Sequence, residues 1–145
     1  MKSDASVLVL ALLAFTIFSP ARGLAESEDF LPPAAESDAL HRYALRPKSE
    51  LSKIIYLMDR VRNTNLMVIY NGNTYDSQTA VEYARQYIAK HYKKEKAASW
   101  VKIHAYRSNL DGPVITIKNP GGKQKVAREI LLEELETLNR LRPDV

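Results

Sequence analysis

The chain has 145 residues, no cysteine and a formal net charge of +4 at pH 7. This length is sufficient for one domain with its own hydrophobic core. The absence of cysteine excludes disulfides, thiolate catalysis, zinc sites with cysteine ligands and a lipid-modified cysteine.

The first 25 residues have the order of parts of a secretory signal peptide. Lys2 lies in a short polar start, a hydrophobic run extends from Val7 to Phe18, and Gly23 and Ala25 are the small residues that signal peptidase requires. As a helix this run spans roughly 18 Å, less than the roughly 30 Å hydrocarbon core of a bilayer. We therefore expect cleavage after Ala25, a periplasmic or secreted product and no membrane span in the mature protein.

The next segment, residues 26–46, is predicted to be a mobile acidic linker with at most a short helical turn near His41–Leu45. Residues 26–38 contain five acidic residues and no basic one, whereas residues 39–145 contain 19 basic and 11 acidic residues, a formal charge of +8. One hypothesis that follows is that the acidic segment folds back on the basic domain and screens it.

The predicted folded domain, residues 47–145, starts with a helix. Pro47 is tolerated in a helix only at its first turn, and Ser49 is an alternative N-cap. From Leu51 to about Asn63 hydrophobic side chains recur at three- and four-residue steps. This periodicity predicts a helix with one buried face.

A β-hairpin is predicted next. Leu66–Tyr70 is short and rich in large apolar residues, which favours a strand. Asn71 and Gly72 both accept positive φ, so they predict a tight turn that returns the chain through Thr74 and Tyr75.

Two helices, a strand and a last helix complete the predicted domain. Asp76 and Ser77 are good N-caps for the second helix, and a third helix covers residues 97–105. The alternating Val114–Lys118 segment predicts a strand, and after a Pro-Gly-Gly loop the hydrophobic periodicity of 126–141 predicts a long helix. This order predicts an α+β fold in which a small sheet, the hairpin plus one further strand, packs against about four helices.

Motifs for chemistry are weak. The three histidines show no HExxH pattern or paired spacing, so no metal and no cofactor is predicted. His104 and Ser108 are four residues apart, the minimum for a hydroxyl nucleophile and its base, but neither a GxSxG turn nor an orienting carboxylate accompanies them. No catalytic residue is therefore predicted; a small hydrolase or lyase with a pocket around His104, Ser108 and Arg107 remains the alternative to a binding protein.

Two surfaces are candidates for binding a partner. Lys90, Lys93, Lys94 and Lys96 form a basic surface suited to an acidic envelope protein or an anionic envelope polymer, although a solvated face explains them equally well. Nucleic acid is not an expected partner of an exported protein.

The second surface surrounds the hairpin, where tyrosines are concentrated and either bind a partner or pack in the core. Its candidate residues are Tyr70, Asn71, Gly72, Tyr75, Tyr83, Arg85, Arg107 and Ser108.

The segments Ile69–Tyr87 (IYNGNTYDSQTAVEYARQY) and Ala97–Lys118 (AASWVKIHAYRSNLDGPVITIK) together resemble the YfeK-like family of small exported bacterial proteins, a domain of unknown function. The matching positions are Asn71, Gly72, Tyr75, Ala80, Arg85, Ala97, Trp100, Ser108, Gly112 and Pro113. Members often have Arg and His where this chain has Tyr70 and Tyr83. The resemblance implies an exported bacterial envelope protein with a binding or accessory role, and it implies no particular reaction.

Overall fold

The computed structural model describes residues 30–109 and 111–142, in which nine helices and strands follow one another in the order ααββααββα. The helices are α1 (Asp38–Leu45), α2 (Glu50–Arg62), α3 (Ser77–His91), α4 (Ala97–His104) and α5 (Ala127–Leu141). The strands are β1 (Met67–Tyr70), β2 (Asn73–Asp76), β3 (Thr116–Lys118) and β4 (Gln124–Val126). The predicted α+β class is confirmed, with a larger sheet than expected.

The sheet consists of two hairpins side by side in the order β2-β1-β3-β4, and every neighbouring pair is antiparallel. Asn71 and Gly72 form the first turn with φ values of 51° and 80°, as their residue types predict. The second turn is closed by a bond from the Asn119 N–H to the Lys123 carbonyl at 2.9 Å. The sequence had predicted only a loop before the last helix, so β4 is an addition to the predicted sheet.

Helix α2 is the centre of the hydrophobic core, and it packs against α1, α3, α4 and α5. Ile54, Tyr56 and Leu57 on this helix are fully buried. Ser49 is the N-cap, because its Oγ accepts a hydrogen bond from the Ser52 N–H at 3.1 Å. The helix and its alternative N-cap are therefore both confirmed.

The expectation of a mobile linker over residues 26–46 is wrong for residues 30–46. Phe30, Leu31 and the inner face of α1, including Leu40 and Tyr43, are buried in the core. Their apolar area compensates for the ordering entropy that the prediction weighed against them. The remaining residues of this segment, and the predicted signal peptide, residues 1–25, lie outside the described residues.

A buried polar network joins α2 to α5. The Tyr56 hydroxyl donates to Glu134 Oε1 at 2.7 Å, and Arg60 Nε donates to the same oxygen at 2.6 Å. Arg60 Nη2 also donates to the Pro32 carbonyl, which ties the N-terminal segment to this network. Burial, followed by the hydrogen bond to Glu134, raises the pKa of Tyr56 above its ordinary value.

No helix in the described part of the chain combines the length and the apolar character that crossing a bilayer would require.

Candidate functional site

A cavity of about 790 Å³ is lined by residues of the sheet and of α2, α3, α4 and α5. Its volume lies within the range of roughly 300–1,000 Å³ that is typical of small-molecule sites. The lining is mainly apolar and aromatic. The described lining residues are Met58, Val61, Val68, Tyr70, Tyr75, Ala80, Val81, Tyr83, Ala84, Tyr87, Trp100, Ile103, His104, Ala105, Tyr106, Arg107, Ser108, Asn109, Ile115, Ile117, Ala127 and Leu131.

The sheet contributes one of its faces to the cavity. Val68 on β1 is the register partner of both Tyr75 on β2 and Ile117 on β3. Cross-strand partners present their side chains on the same face of a sheet, and Tyr70 follows Val68 by two residues, so it shares that face. The strand register therefore determines which apolar side chains reach the cavity.

Helix α3 forms another part of the lining. Asp76 is its N-cap, accepting a hydrogen bond from the Thr79 N–H at 2.7 Å, and this bond lowers the pKa of Asp76. Ala80 and Ala84 lie one turn apart on the lining face. Because both side chains end at a methyl group, this face leaves space that larger residues would fill.

An aromatic cluster connects α3 to α4 at the cavity. The Tyr87 hydroxyl and His104 Nδ1 are hydrogen-bonded at 2.8 Å, and the tautomer of His104 decides which of them donates. The Trp100 ring lies 5.4 Å from the His104 ring and 6.4 Å from the Tyr87 ring, measured between centroids. Trp100 Nε1 is buried and has no hydrogen-bond partner.

Large apolar side chains are exposed around this cavity. Six such side chains are well exposed in the described part of the chain, and four of them line the cavity. These four are Tyr70, Tyr83, Tyr87 and Ile103, with exposed fractions of 42%, 57%, 41% and 67%. A concentration of exposed apolar groups at a concave site is typical of a binding surface.

The formal charge around the cavity is positive. Arg107 is the only Lys, Arg, Asp or Glu among the described residues that line it. Its Nη1 donates to the Gly112 carbonyl at 3.1 Å. The guanidinium carbon of a second arginine, Arg128, lies 3.6 Å from the centre of the neighbouring Tyr106 ring.

The structure brings most of the residues predicted around the hairpin to one place. Tyr70, Tyr75, Tyr83, Arg107 and Ser108 all line the cavity. Of the other three candidates, Asn71 and Gly72 form the adjacent hairpin turn, whereas Arg85 is exposed on α3 and does not contribute to the lining. The predicted basic surface, Lys90, Lys93, Lys94 and Lys96, is exposed and lies outside the lining.

His104 and Ser108, the pair considered for catalysis, are hydrogen-bonded to other groups. Ser108 Oγ accepts a hydrogen bond from the Asn71 N–H at 3.0 Å and donates to the Pro113 carbonyl at 3.2 Å. His104 is bonded to Tyr87 instead. Both residues line the cavity, but this arrangement provides no hydrogen bond between hydroxyl and imidazole in the described residues. Nor do those residues contain a group of three or more His, Asp or Glu that could hold a metal ion.

Several lining residues were not predicted as site residues. Ala80, Ala84 and Tyr87 on α3 and Trp100 on α4 lie at the three- and four-residue steps of an inner helix face, and this periodicity gives the correct side of each helix. It could not show that this side borders a cavity. Ile103 and Tyr106 carried no signal, because they fall between the periodic positions of α4 and the loop after it.

The described residues thus form a small α+β domain with an apolar cavity between its sheet and its helices. The family model of the Family of unknown function (DUF5329) matches residues 48–139, from just before α2 into the last helix. The chain belongs to this family. No curated protein and no solved structure gives a significant match to it. The narrower YfeK-like resemblance stays a prediction.

Proposed function

We propose that this protein is a non-enzymatic binding module that takes an apolar small molecule or acyl chain into the cavity. The observation that carries the proposal is the cavity of about 790 Å³ with its mainly apolar lining and its exposed aromatic residues. Transfer of apolar surface from water contributes about 25 cal/mol per Å². A ligand with a long apolar part would therefore gain most of its binding free energy inside the cavity.

Binding is better supported than hydrolysis or lyase chemistry. A nucleophilic serine needs a base within hydrogen-bond reach and a group that orients that base. Ser108 is engaged with backbone groups, and His104 is engaged with Tyr87. The described cavity lining also includes no carboxylate.

The cavity is also a better candidate for the binding site than the predicted basic surface. Glu95 lies within that lysine cluster, and its Oε2 accepts a hydrogen bond from the Lys93 N–H at 2.8 Å. The backbone N–H of Lys93 is the main reason why the pKa of Glu95 is lowered. A carboxylate kept ionised among the lysines reduces their attraction for an anionic polymer.

The proposal places the protein outside the cytoplasm, as a periplasmic or secreted accessory protein of a bacterial envelope. Its support is the signal-peptide pattern of residues 1–25 and the resemblance to small exported proteins. Apolar molecules need a protein carrier or sink in an aqueous compartment, which agrees with a cavity of this kind.

Titration of the purified protein with N-phenylnaphthylamine, an uncharged dye that fluoresces in apolar surroundings, tests the proposed function. We expect a saturable rise in fluorescence. Ala84→Trp, which places an indole in the cavity, should abolish most of it, and Ala80→Leu should weaken it.

The matched control is Ala89→Trp, because Ala89 is exposed on the same helix and does not line the cavity. This variant should bind the dye as the unchanged protein does. Circular dichroism establishes that each variant is folded. Absence of saturable binding, or binding that neither cavity variant reduces, would refute the proposal.

A further inference from the structure

The charges at the cavity indicate which kind of apolar molecule it accepts. We infer that the ligand is a single-chain amphiphile with an anionic head, such as a fatty acid, whose head group is bound by Arg107. This inference rests on the proposed function and adds the chemistry of the head group to it. It depends on the position of Arg107, on its unused hydrogen-bond donors and on a second cation nearby.

Arg107 is fixed at the cavity by its backbone. It forms an isolated antiparallel bridge with Val114, and the adjacent Tyr106 carbonyl accepts a hydrogen bond from the Ile115 N–H at 2.8 Å. The side chain is exposed, so a ligand can reach it. The backbone at Arg107 is therefore fixed, and the bond from its Nη1 to the Gly112 carbonyl places the guanidinium.

The guanidinium retains donors for an anion. A guanidinium has five N–H donors, and Arg107 uses Nη1 for the Gly112 carbonyl at 3.1 Å. No carboxylate in the described part of the chain forms an ion pair with it. A carboxylate head can therefore accept charge-assisted hydrogen bonds from the free part of the fork.

A second positive charge reinforces the first. The guanidinium carbons of Arg107 and Arg128 lie 5.0 Å and 3.6 Å from the centre of the same Tyr106 ring. Like Arg107, Arg128 forms no ion pair with a described carboxylate. Both guanidiniums lie against Tyr106, a residue of the lining, so the positive potential beside the cavity is larger than that of Arg107 alone, which favours an anion there.

The composition of the cavity lining also suits an amphiphile with an anionic head. No Asp or Glu is present among the described lining residues, so nothing there repels an anionic ligand. The apolar walls accept a hydrocarbon tail but provide no counter-charge for a cationic head. The cavity therefore favours an anionic head over a neutral one, and a neutral head over a cationic one.

Three ligands with the same dodecyl tail separate the contribution of the head from that of the tail. Dodecanoate, dodecanol and dodecyltrimethylammonium are used below their micelle concentrations to displace N-phenylnaphthylamine, at about pH 8, where a carboxylic acid is ionised. We expect dodecanoate to bind about tenfold more tightly than dodecanol, as for one hydrogen-bonded charge pair. The ammonium compound should bind least tightly.

Arg107→Gln should lower the affinity for dodecanoate about tenfold and leave that for dodecanol unchanged. Arg107→Lys should retain part of the preference, because the charge stays while the fork is lost. The control is Arg85→Gln, which removes the same charge from an exposed position outside the lining. It should leave all three affinities as they are.

The results distinguish the inference from the proposed function. If dodecanol displaces the dye as well as dodecanoate does, or Arg107→Gln weakens both equally, the anionic head is refuted while apolar binding stands. An equal effect of Arg85→Gln and Arg107→Gln would also refute it, because general charge would then be responsible. If neither the dye nor any of the three ligands binds, both conclusions fail.

Discussion

Two neighbouring glutamates on α5 lie in opposite environments. Glu134 is buried and accepts hydrogen bonds from Tyr56 and Arg60. Glu133 is exposed and pairs with Lys125 at 2.9 Å. The bonds of Glu134 are shielded from water, whereas the Glu133–Lys125 pair is exposed to it. A glutamate carboxylate should therefore affect stability differently at the two positions.

Glu134→Ala should lower the free energy of unfolding by about 3 kcal/mol or more, because it leaves the Arg60 charge buried without a counter-ion. Glu133→Ala should cost about 1 kcal/mol or less, as is usual for an exposed pair. Urea unfolding of both variants measures the difference. Similar losses in the two variants would show that the network around Glu134 contributes no more than a surface pair.

Tyr56 makes the fold sensitive to alkali. Its pKa is raised by burial and by the bond to Glu134, so the folded state keeps the proton at a pH where the unfolded chain, with its ordinary value of 10.0, has lost it. The stabilising contribution is complete below about pH 10 and is lost as the pH rises toward the folded pKa.

Tyr56→Phe should therefore reduce the loss of stability above about pH 10, by up to about 1.4 kcal/mol for each pH unit. Unfolding by urea at a series of pH values from neutral to alkaline measures this slope. Tyr43 and Tyr92, whose pKa values are also raised by burial, should leave a residual slope in the variant. An unchanged slope would contradict the role given to Tyr56.

Among the helices and strands, those with strong local sequence signals were predicted correctly. Helix α2 and the hairpin followed from hydrophobic periodicity, an N-cap serine and an Asn-Gly turn. Strand β4 was missed because it has only three residues, two of them polar, and leads directly into α5. Helix α1 was predicted only in part, as a short turn near His41–Leu45 within a mobile segment, because the acidic, proline-containing composition around it outweighed the buried face formed by Leu40 and Tyr43.

Replacement of Gly72 should destabilise the fold more than replacement of Gly121, a glycine of the second hairpin turn that has no positive φ. Its φ of +80° disfavours any residue with a Cβ, although no atom lies within 4 Å of the position of that Cβ. Gly72→Ala should therefore cost about 1 kcal/mol, and it should also weaken dye binding if the turn positions Tyr70 and Tyr75.

Gly121→Ala is the matched control, because Gly121 has no positive φ and its Cβ would meet only the Asn119 side chain, at 3.4 Å. Its unfolding free energy should stay within about 0.5 kcal/mol of the unchanged protein. Thermal or urea unfolding compares the two. A smaller loss for Gly72→Ala than for Gly121→Ala would mean that the left-handed turn is not a constraint on the hairpin.

At the scale of the whole molecule, the site was predicted in part. The concentration of tyrosines led to Tyr70, Tyr75 and Tyr83, which do line one cavity. The cavity itself results from contacts between elements far apart in sequence, such as the alignment of Val68 with Ile117 across β1 and β3. Periodicity identifies the inner side of each element, but it does not show whether those inner sides meet or leave space between them.

The position of the bound molecule tests the account most directly. Amide shifts of the ¹⁵N-labelled protein would be recorded by nuclear magnetic resonance during titration with dodecanol, which lacks any charge. We predict that the largest changes occur at residues of the cavity, such as Val68, Ala84 and Ile117. Changes centred on the basic surface at Lys93, Lys94 and Lys96, or no changes at saturating ligand, would contradict a binding site in the cavity.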